Sequence, residues 1–278
     1  MGERLTGRRV LVTGASRGIG AGIAERLAAE GATLTLVART LDAHPTLPGS
    51  LNETAERCRT LGADVTLLVA DLTDETRSEL VADAAEAMGG HVEILINNAA
   101  AAIYQPLDEY PLKRRRLMVE MNVHAPLDLA QAALPAMAEA GEGWIINLSS
   151  GSAVSPGDPP YDLGGVRGTY GFYAASKAML NRLTQAMAAE WHERGVRVNT
   201  VEPKAAVLSE GADVHVGTML REDQIESMEA MCESVLWLCD CGPDHTGKIE
   251  VSLDLLEREG IAPMNLQATA THPGGFRR

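Results

Sequence analysis

The stretch VLVTGASRGIG at positions 10–20 constrains this chain more than any other segment. Three apolar residues suited to a buried strand run into Gly14, Gly18 and Gly20, and helical periodicity then follows over 23–29. A glycine-rich turn between a strand and a helix lets backbone N–H groups approach a phosphate, because side chains are missing and the helix N-terminus carries partial positive charge. The order of residues is G-x-x-x-G-x-G rather than the G-x-G-x-x-G of the usual dinucleotide turn. The competing reading is a tight turn that binds nothing, in which three glycines cost chain entropy without a ligand to offset it.

Strand and helix signals alternate along most of the chain, the pattern of a parallel sheet covered on both faces. Strands are predicted at 10–13, 33–38, 65–70, 94–97, 144–148, 197–201 and 249–252, with helices near 19–30, 51–61, 75–88, 108–138, 172–193 and 223–239. The fold class is therefore α/β: a single Rossmann-type doubly wound parallel sheet of about seven strands, occupying 1–261. Residues 262–278, with two prolines and two glycines and no periodicity, read as a mobile tail or a subunit-contacting arm. Ser50 and Glu53 have capping-box spacing, which makes the 40–49 segment before them an ordered loop beside the end of the second strand.

A net charge of −14 argues against nucleic acid or an anionic membrane surface as the main partner. The longest apolar runs are of strand length, so no membrane span or secretion is expected, and the expected location is cytoplasmic. Cys239 and Cys241 lie near His245, yet C-x-C spacing without a second ligand pair does not suit zinc. Cys58, Cys232, Cys239 and Cys241 are read as small buried thiols, and no metal is expected.

Two groups carry chemistry. Tyr173 and Lys177 stand four residues apart on a predicted helix, which puts phenol and ammonium on one face. A positive neighbour lowers a phenol pKa by roughly one to three units from its ordinary ~10, which would make Tyr173 an acid and base near neutral pH. Asn122 is followed at i+4 by Pro126, which has no N–H, so the Asn122 carbonyl lacks its helical partner and is open to a water. A kink without chemical use is the alternative. At the end of the second predicted strand stands Arg39, with Arg17 inside the glycine turn. Two guanidinium groups and no carboxylate at this corner favour a 2′-phosphorylated cofactor, NADP(H), over NAD.

VLVTGASRGIG, the NNAA at 97–100, Asn122 in MNV, INLSS ending at Ser150 and YAASK at 173–177 occur in the order seen in the short-chain dehydrogenase/reductase family. The chain is similar to that family over roughly residues 5–255. The resemblance implies hydride transfer between a nicotinamide and a carbonyl or secondary alcohol, with a small-molecule substrate and a homodimer or homotetramer. It implies Tyr173 as acid/base, Lys177 as the group that tunes it and binds the nicotinamide ribose, Ser150 as donor to the substrate oxygen, and Asn122 as holder of a relay water. Cofactor contacts implied in the same way come from Gly14, Ser16, Arg17, Gly18, Ile19, Gly20, Arg39, Asp71, Leu72, Asn98, Ala99, Tyr173, Lys177, Pro203 and Val207. Asp71 would accept from the adenine amino group, or would merely help start the next helix.

The chain also departs from the family. Ser150 and Tyr173 are 23 residues apart, a longer interval than usual, so an insertion at 151–172 would shape substrate access. That insertion leaves Ser149, Ser152 and Ser155 as alternatives to Ser150. Ala100 stands where the family usually has glycine, and Pro203-Lys204 replaces Pro-Gly. The family threonine that contacts the carboxamide has no counterpart, with the Val207 backbone and Ser209 as substitutes. Lys204 would meet an acidic substrate or point to water. The HPTLPG at 44–49 resembles a hydroxysteroid-dehydrogenase-like branch, and 209–224 occupies the place of a substrate flap. A non-catalytic dinucleotide-binding regulatory protein is the alternative function, and a lyase or epimerase that uses the nicotinamide transiently is a third.

Overall fold

A computed structural model describes residues 3–155, 157–159, 161, 169–208 and 224–276. The short apolar runs become parallel strands because the central ones are buried on both faces, where polar backbone has to be paired within the sheet. These are β1 (Arg9–Thr13), β2 (Thr33–Ala38), β3 (Val65–Val69), β4 (Ile94–Asn97), β5 (Gly143–Leu148) and β6 (Val196–Glu202). The two-residue strands β7 (Ala206–Val207) and β8 (Ile225–Glu226) pair with each other outside the main sheet, which β9 (Ile249–Val251) completes. Its order is β3-β2-β1-β4-β5-β6-β9, with every pair parallel. The chain winds outward from β1 in one direction and from β4 in the other. That reversal opens a crevice beyond the carboxyl ends of these two central strands, where open α/β sheets bind ligands.

Helices α1 (Gly18–Ala28), α2 (Leu51–Thr60), α3 (Glu79–Ala87), α4 (Leu112–Val119), α5 (Ala125–Ala140) and α6 (Gly171–Trp191) cover the sheet, followed by α7 (Met228–Leu238) and α8 (Ser252–Glu259). Strand alternation divides the core in two. Val10 and Val12 pack with α1, α2 and α7, whereas Leu11, Leu95 and Val198 pack against α3 and α5. Ser50 caps α2 as its spacing predicts, its Oγ accepting from Glu53 N–H at 3.1 Å.

Three expectations are corrected. The predicted helix over 108–138 is broken: a 3-10 turn at Leu107–Glu109 precedes α4, and a π-turn at Glu120–His124 separates α4 from α5. In that turn Ala125 N–H reaches back five residues to Glu120 O, and Pro126 has no N–H to offer Asn122. The helix predicted near 223–239 starts at Met228, where Ser227 Oγ caps Ala230 N–H at 3.2 Å. α8 follows β9 directly and has no counterpart among the predicted helices. Residues 262–276 lie against the rest of their own chain. Met264 N–H bonds Glu233, Gln267 bonds Glu25, Ser227 N–H bonds Gly275 O at 3.0 Å, and Phe276 bridges Glu226.

Candidate active site

The glycine turn meets the NNAA segment at the crevice. A Cβ on Gly14 would stand 2.8 Å from Asn98 Nδ2 and 2.9 Å from Ala99 Cα, and one on Gly20 would stand 2.4 Å from the same Nδ2. These two glycines are therefore required by close packing against Asn98, whose Nδ2 bonds the carbonyls of Thr13 and Gly14 at 2.9 and 3.2 Å. The turn alone is thus no proof of a ligand. What fits a dinucleotide is the cradle around it, a cavity of about 410 Å³ at the N-terminus of α1. That helix has no acidic residue in its first turn and no side-chain cap, so its positive end faces the cavity uncompensated. All cofactor residues expected from the turn, the ends of β2 and β3, and NNAA line it. So do His44, Leu47, Thr40 and Met121, which the sequence reading did not assign to it.

Arg39 is 73% exposed in its side chain and lies 3.5 Å from Asp71. Burial works to raise the Asp71 carboxyl, but hydrogen bonds from Thr73 N–H and Oγ1, with the Arg39 charge, hold it below the ordinary value. Arg17 takes a different position: its Nη2 donates to Thr40 Oγ1 at 3.3 Å and to Gly49 O at 3.2 Å.

A second cavity of about 600 Å³ shares Ile19 and Ala100 with the first, so the two adjoin along one line past the carboxyl end of β4. Tyr173, Ser149, Ser150 and Ser152 line it, with Pro203, Val207 and Lys204 opposite and Ala102, Tyr104 and Met231 as apolar walls. Ser150 is close enough to the Tyr173 phenol to act on it, working to lower its pKa, and lies 2.9 Å from Ser152 Oγ. Ser149 Oγ is buried without a partner, and Ser155 accepts from Gly157 N–H at 3.4 Å. Of the four serines, Ser150 is the one that acts on the phenol. Ala100 needs no glycine-like backbone, since Ala268 is the one non-glycine residue with positive φ among the described residues.

Lys177 is buried, and its Nζ donates to Leu148 O at 2.6 Å. Burial pulls its ammonium down to about 8. Burial also pushes the Tyr173 phenol up to about 12, helped by Tyr104 and Glu202 against the effect of Ser150. The lowering expected from the Tyr-Lys spacing is not found: desolvation of the phenolate is the largest cause, and Lys177 is not among the groups that move the phenol. Tyr104 meets the Tyr173 ring edge-on at 5.7 Å between centroids. Glu202, at the end of β6, is 3% exposed with Oε2 unpartnered, and burial raises its carboxyl.

Asn122 is fully buried and its side chain is committed to structure. Oδ1 accepts Ala101 N–H at 2.8 Å, and Nδ2 donates to Ala101 O at 2.9 Å and Ser176 Oγ at 3.0 Å. Any proton relay through this residue uses its main-chain carbonyl. Lys204 Nζ is paired with Asp254 of α8, and its N–H bonds the buried Glu226 carboxylate at 2.8 Å. Ser209 and the rest of the flap up to 223 lie outside the described residues, as do 156, 160 and 162–168 of the insertion at 151–172. The four cysteines are free and buried, and burial raises the pKa of each. No helix among the described residues is long and apolar enough to cross a membrane.

Comparison with known proteins agrees with this architecture. The short chain dehydrogenase family model matches residues 8–213. Hydroxysteroid dehydrogenase-like protein 2 of Bos taurus is 30% identical over 273 residues, 97% of this chain and 62% of that protein. The Danio rerio protein of that name is 29% identical over 274 residues, covering 97% and 63%. This chain therefore spans less than two thirds of the length of these relatives. Among solved structures, a short chain dehydrogenase from Mycobacterium thermoresistibile superposes with a TM-score of 0.79 at 27% identity, covering 92% of this chain and 88% of that one. A 3-oxoacyl (acyl-carrier-protein) reductase from Agrobacterium tumefaciens with NADP bound gives 0.73 at 29% identity, covering 89% and 93%. By the extent of the family match and the fold that carries it, the chain belongs to the short-chain dehydrogenases, a family of oxidoreductases.

Proposed function

We propose that this protein is an NADP(H)-dependent oxidoreductase acting on a carbonyl or secondary alcohol. The observation that carries this reading is Tyr173 and Ser150 together on the wall of a cavity that adjoins the arginine-bearing cradle. A bound nicotinamide would supply or accept the hydride. The rest is the work of this chain. A phenol held near 12 is protonated at neutral pH, so Tyr173 stands ready as the acid that gives its proton to a developing alkoxide. Ser150 donates to the same oxygen and stabilises the charge as it forms. Lys177 then favours the phenolate that remains, and with a value near 8 it can itself exchange a proton around neutral pH. At neutral pH the phenol therefore stands in the protonated form that carbonyl reduction uses.

The cradle's two guanidinium groups support NADP(H) over NAD, since a 2′-phosphate is bound by positive charge that a bare ribose does not need, although Asp71 brings to this corner a carboxylate that the sequence reading did not place there. The apolar walls and the limited volume of the second cavity suit a carbonyl compound of modest size, with Lys204 at the rim. A homodimer or homotetramer is part of the same proposal, supported by exposed Leu112, Leu117 and Met179 on α4 and α6. Four free thiols suit a reducing compartment, and we place the protein in the cytoplasm. Tyr173→Phe should abolish NADPH consumption in a screen of carbonyl compounds while NADPH binding, followed by fluorescence, is retained. Turnover that survives this substitution refutes the catalytic reading, and a wild-type protein that binds NADPH but reduces nothing favours the regulatory one.

A further inference from the structure

The HPTLPG loop has no part in the chemistry derived above, yet it is built against the cofactor cradle with unusual care. Leu51 N–H bonds Thr40 O at 3.0 Å and Asn52 N–H bonds Leu41 O at 3.1 Å, which close the 40–50 loop at its base. Asn52 Nδ2 ties Asp42 at 2.6 Å, and Arg17 staples Thr40 and Gly49 to the glycine turn. Gly49 has φ +90°, and a Cβ there would stand 2.6 Å from Ser16 O, so the loop lies directly on that turn. Pro45 and Pro48 reduce the freedom this closure must remove.

His44 is the side chain this loop fixes in the cavity wall, beside Arg17, Arg39 and Thr40. Its Nδ1 lies 3.2 Å from both Thr46 N and Leu47 N. Two backbone N–H donors aimed at one ring nitrogen require a lone pair there, so the proton of the neutral ring sits on Nε2. The turn thereby fixes the tautomer and leaves Nε2–H as the donor that His44 can offer a ligand.

We propose that His44 is a specificity-determining residue that donates Nε2–H to the phosphate on the 2′-oxygen of the cofactor's adenosine ribose. It would complement Arg17 and Arg39 with a donor of fixed direction. A short loop held at its base would then read the feature that separates the two nicotinamide cofactors. The proposal rests on the NADP(H) reading above.

The test uses the two adenosine fragments rather than turnover: 2′,5′-ADP and 5′-AMP, titrated calorimetrically into the full chain. His44→Asn keeps an acceptor for the Thr46 and Leu47 N–H groups and removes the Nε2–H donor. Loss of one charge-assisted hydrogen bond should weaken 2′,5′-ADP binding by about tenfold or more and leave 5′-AMP within about twofold. An equal loss for both ligands, or no loss, overturns the assignment while the NADP(H) reading stands, provided the wild type prefers 2′,5′-ADP. A wild type that binds both alike overturns that reading and this one together. The tautomer is checked on the unaltered protein by nitrogen-15 NMR. A neutral Nε2–H ring supports the proposal; an Nδ1–H ring or an imidazolium at neutral pH overturns it.

Discussion

Replacing Lys177 by methionine should make the cofactor-free protein more stable at neutral pH, although it removes a residue of the proposed active site. The Lys177 side chain is buried, and burial lowers its ammonium from the ordinary 10.5 to about 8. In the unfolded chain the group returns to its ordinary value. Each unit of difference is worth about 1.4 kcal/mol, so a protonated Lys177 costs the fold about 3 kcal/mol. Below pH 8 both states carry the proton and that cost is present in full. Between pH 8 and 10.5 the folded protein has shed the proton while the unfolded chain still holds it, so stability rises with pH and the cost disappears. Methionine fills similar space without charge but leaves the Leu148 carbonyl without its donor, a loss of about 1 to 2 kcal/mol. The net result at pH 7 is a gain of about 1 to 2 kcal/mol, shrinking toward zero or a small loss by pH 10. Urea unfolding of both proteins without cofactor, followed by the fluorescence of the three tryptophans, measures it. A Lys177→Met protein less stable than wild type at pH 7, or a difference that does not change with pH, refutes the assignment of a strained ammonium.

Two further outcomes follow from buried charge. Arg26 is 2% exposed on α1, between Glu30 Oε1 at 2.6 Å and Glu233 Oε2 at 2.9 Å. Arg26→Met removes the guanidinium from two buried carboxylates, leaving them only the weaker contacts from Arg4 and the Met264 N–H, and should cost about 3 to 5 kcal/mol in denaturant unfolding; a loss under about 1 kcal/mol would show that these carboxylates do not depend on it. Glu202→Gln removes a negative charge that helps hold the Tyr173 phenol high. The rate of alcohol oxidation should therefore reach its alkaline plateau at lower pH than in wild type, and a profile that moves upward or not at all contradicts the coupling.

The strands were legible because a parallel strand buried on both faces has to be apolar throughout, and 33–38 and 94–97 fall where the runs predict. The break between α4 and α5 was half legible. Pro126 marks the missing hydrogen bond, but the apolar pattern continues through the π-turn, so periodicity alone joins what the backbone divides. Residues 262–276 have no period to read, because polar bonds to Glu25 and Glu233, far away in the sequence, hold them in place. His44 was missed for a related reason. The HPTLPG loop was visible as a motif, but its distance to the glycine turn is set by Arg17 and Gly49 in three dimensions.

The reactive pair shows where one-dimensional reading stops. Spacing of four residues places Tyr173 and Lys177 on one face, and from this the sign of their mutual effect is easily taken as the sign of the result. Solvent decides otherwise. β5 supplies the Leu148 carbonyl that holds the ammonium, and β6 brings Glu202 near the phenol; Lys177 is buried between sheet and α6, and the Tyr173 ring is half-buried beside it. Each group is thereby driven toward its neutral form, the phenol up and the ammonium down. The burial that costs the fold stability at Lys177 is the burial that keeps the Tyr173 proton in place at neutral pH. If that cost is removed by methionine, the group that favours the phenolate after proton transfer is lost with it, so stability and turnover should move in opposite directions in the same variant.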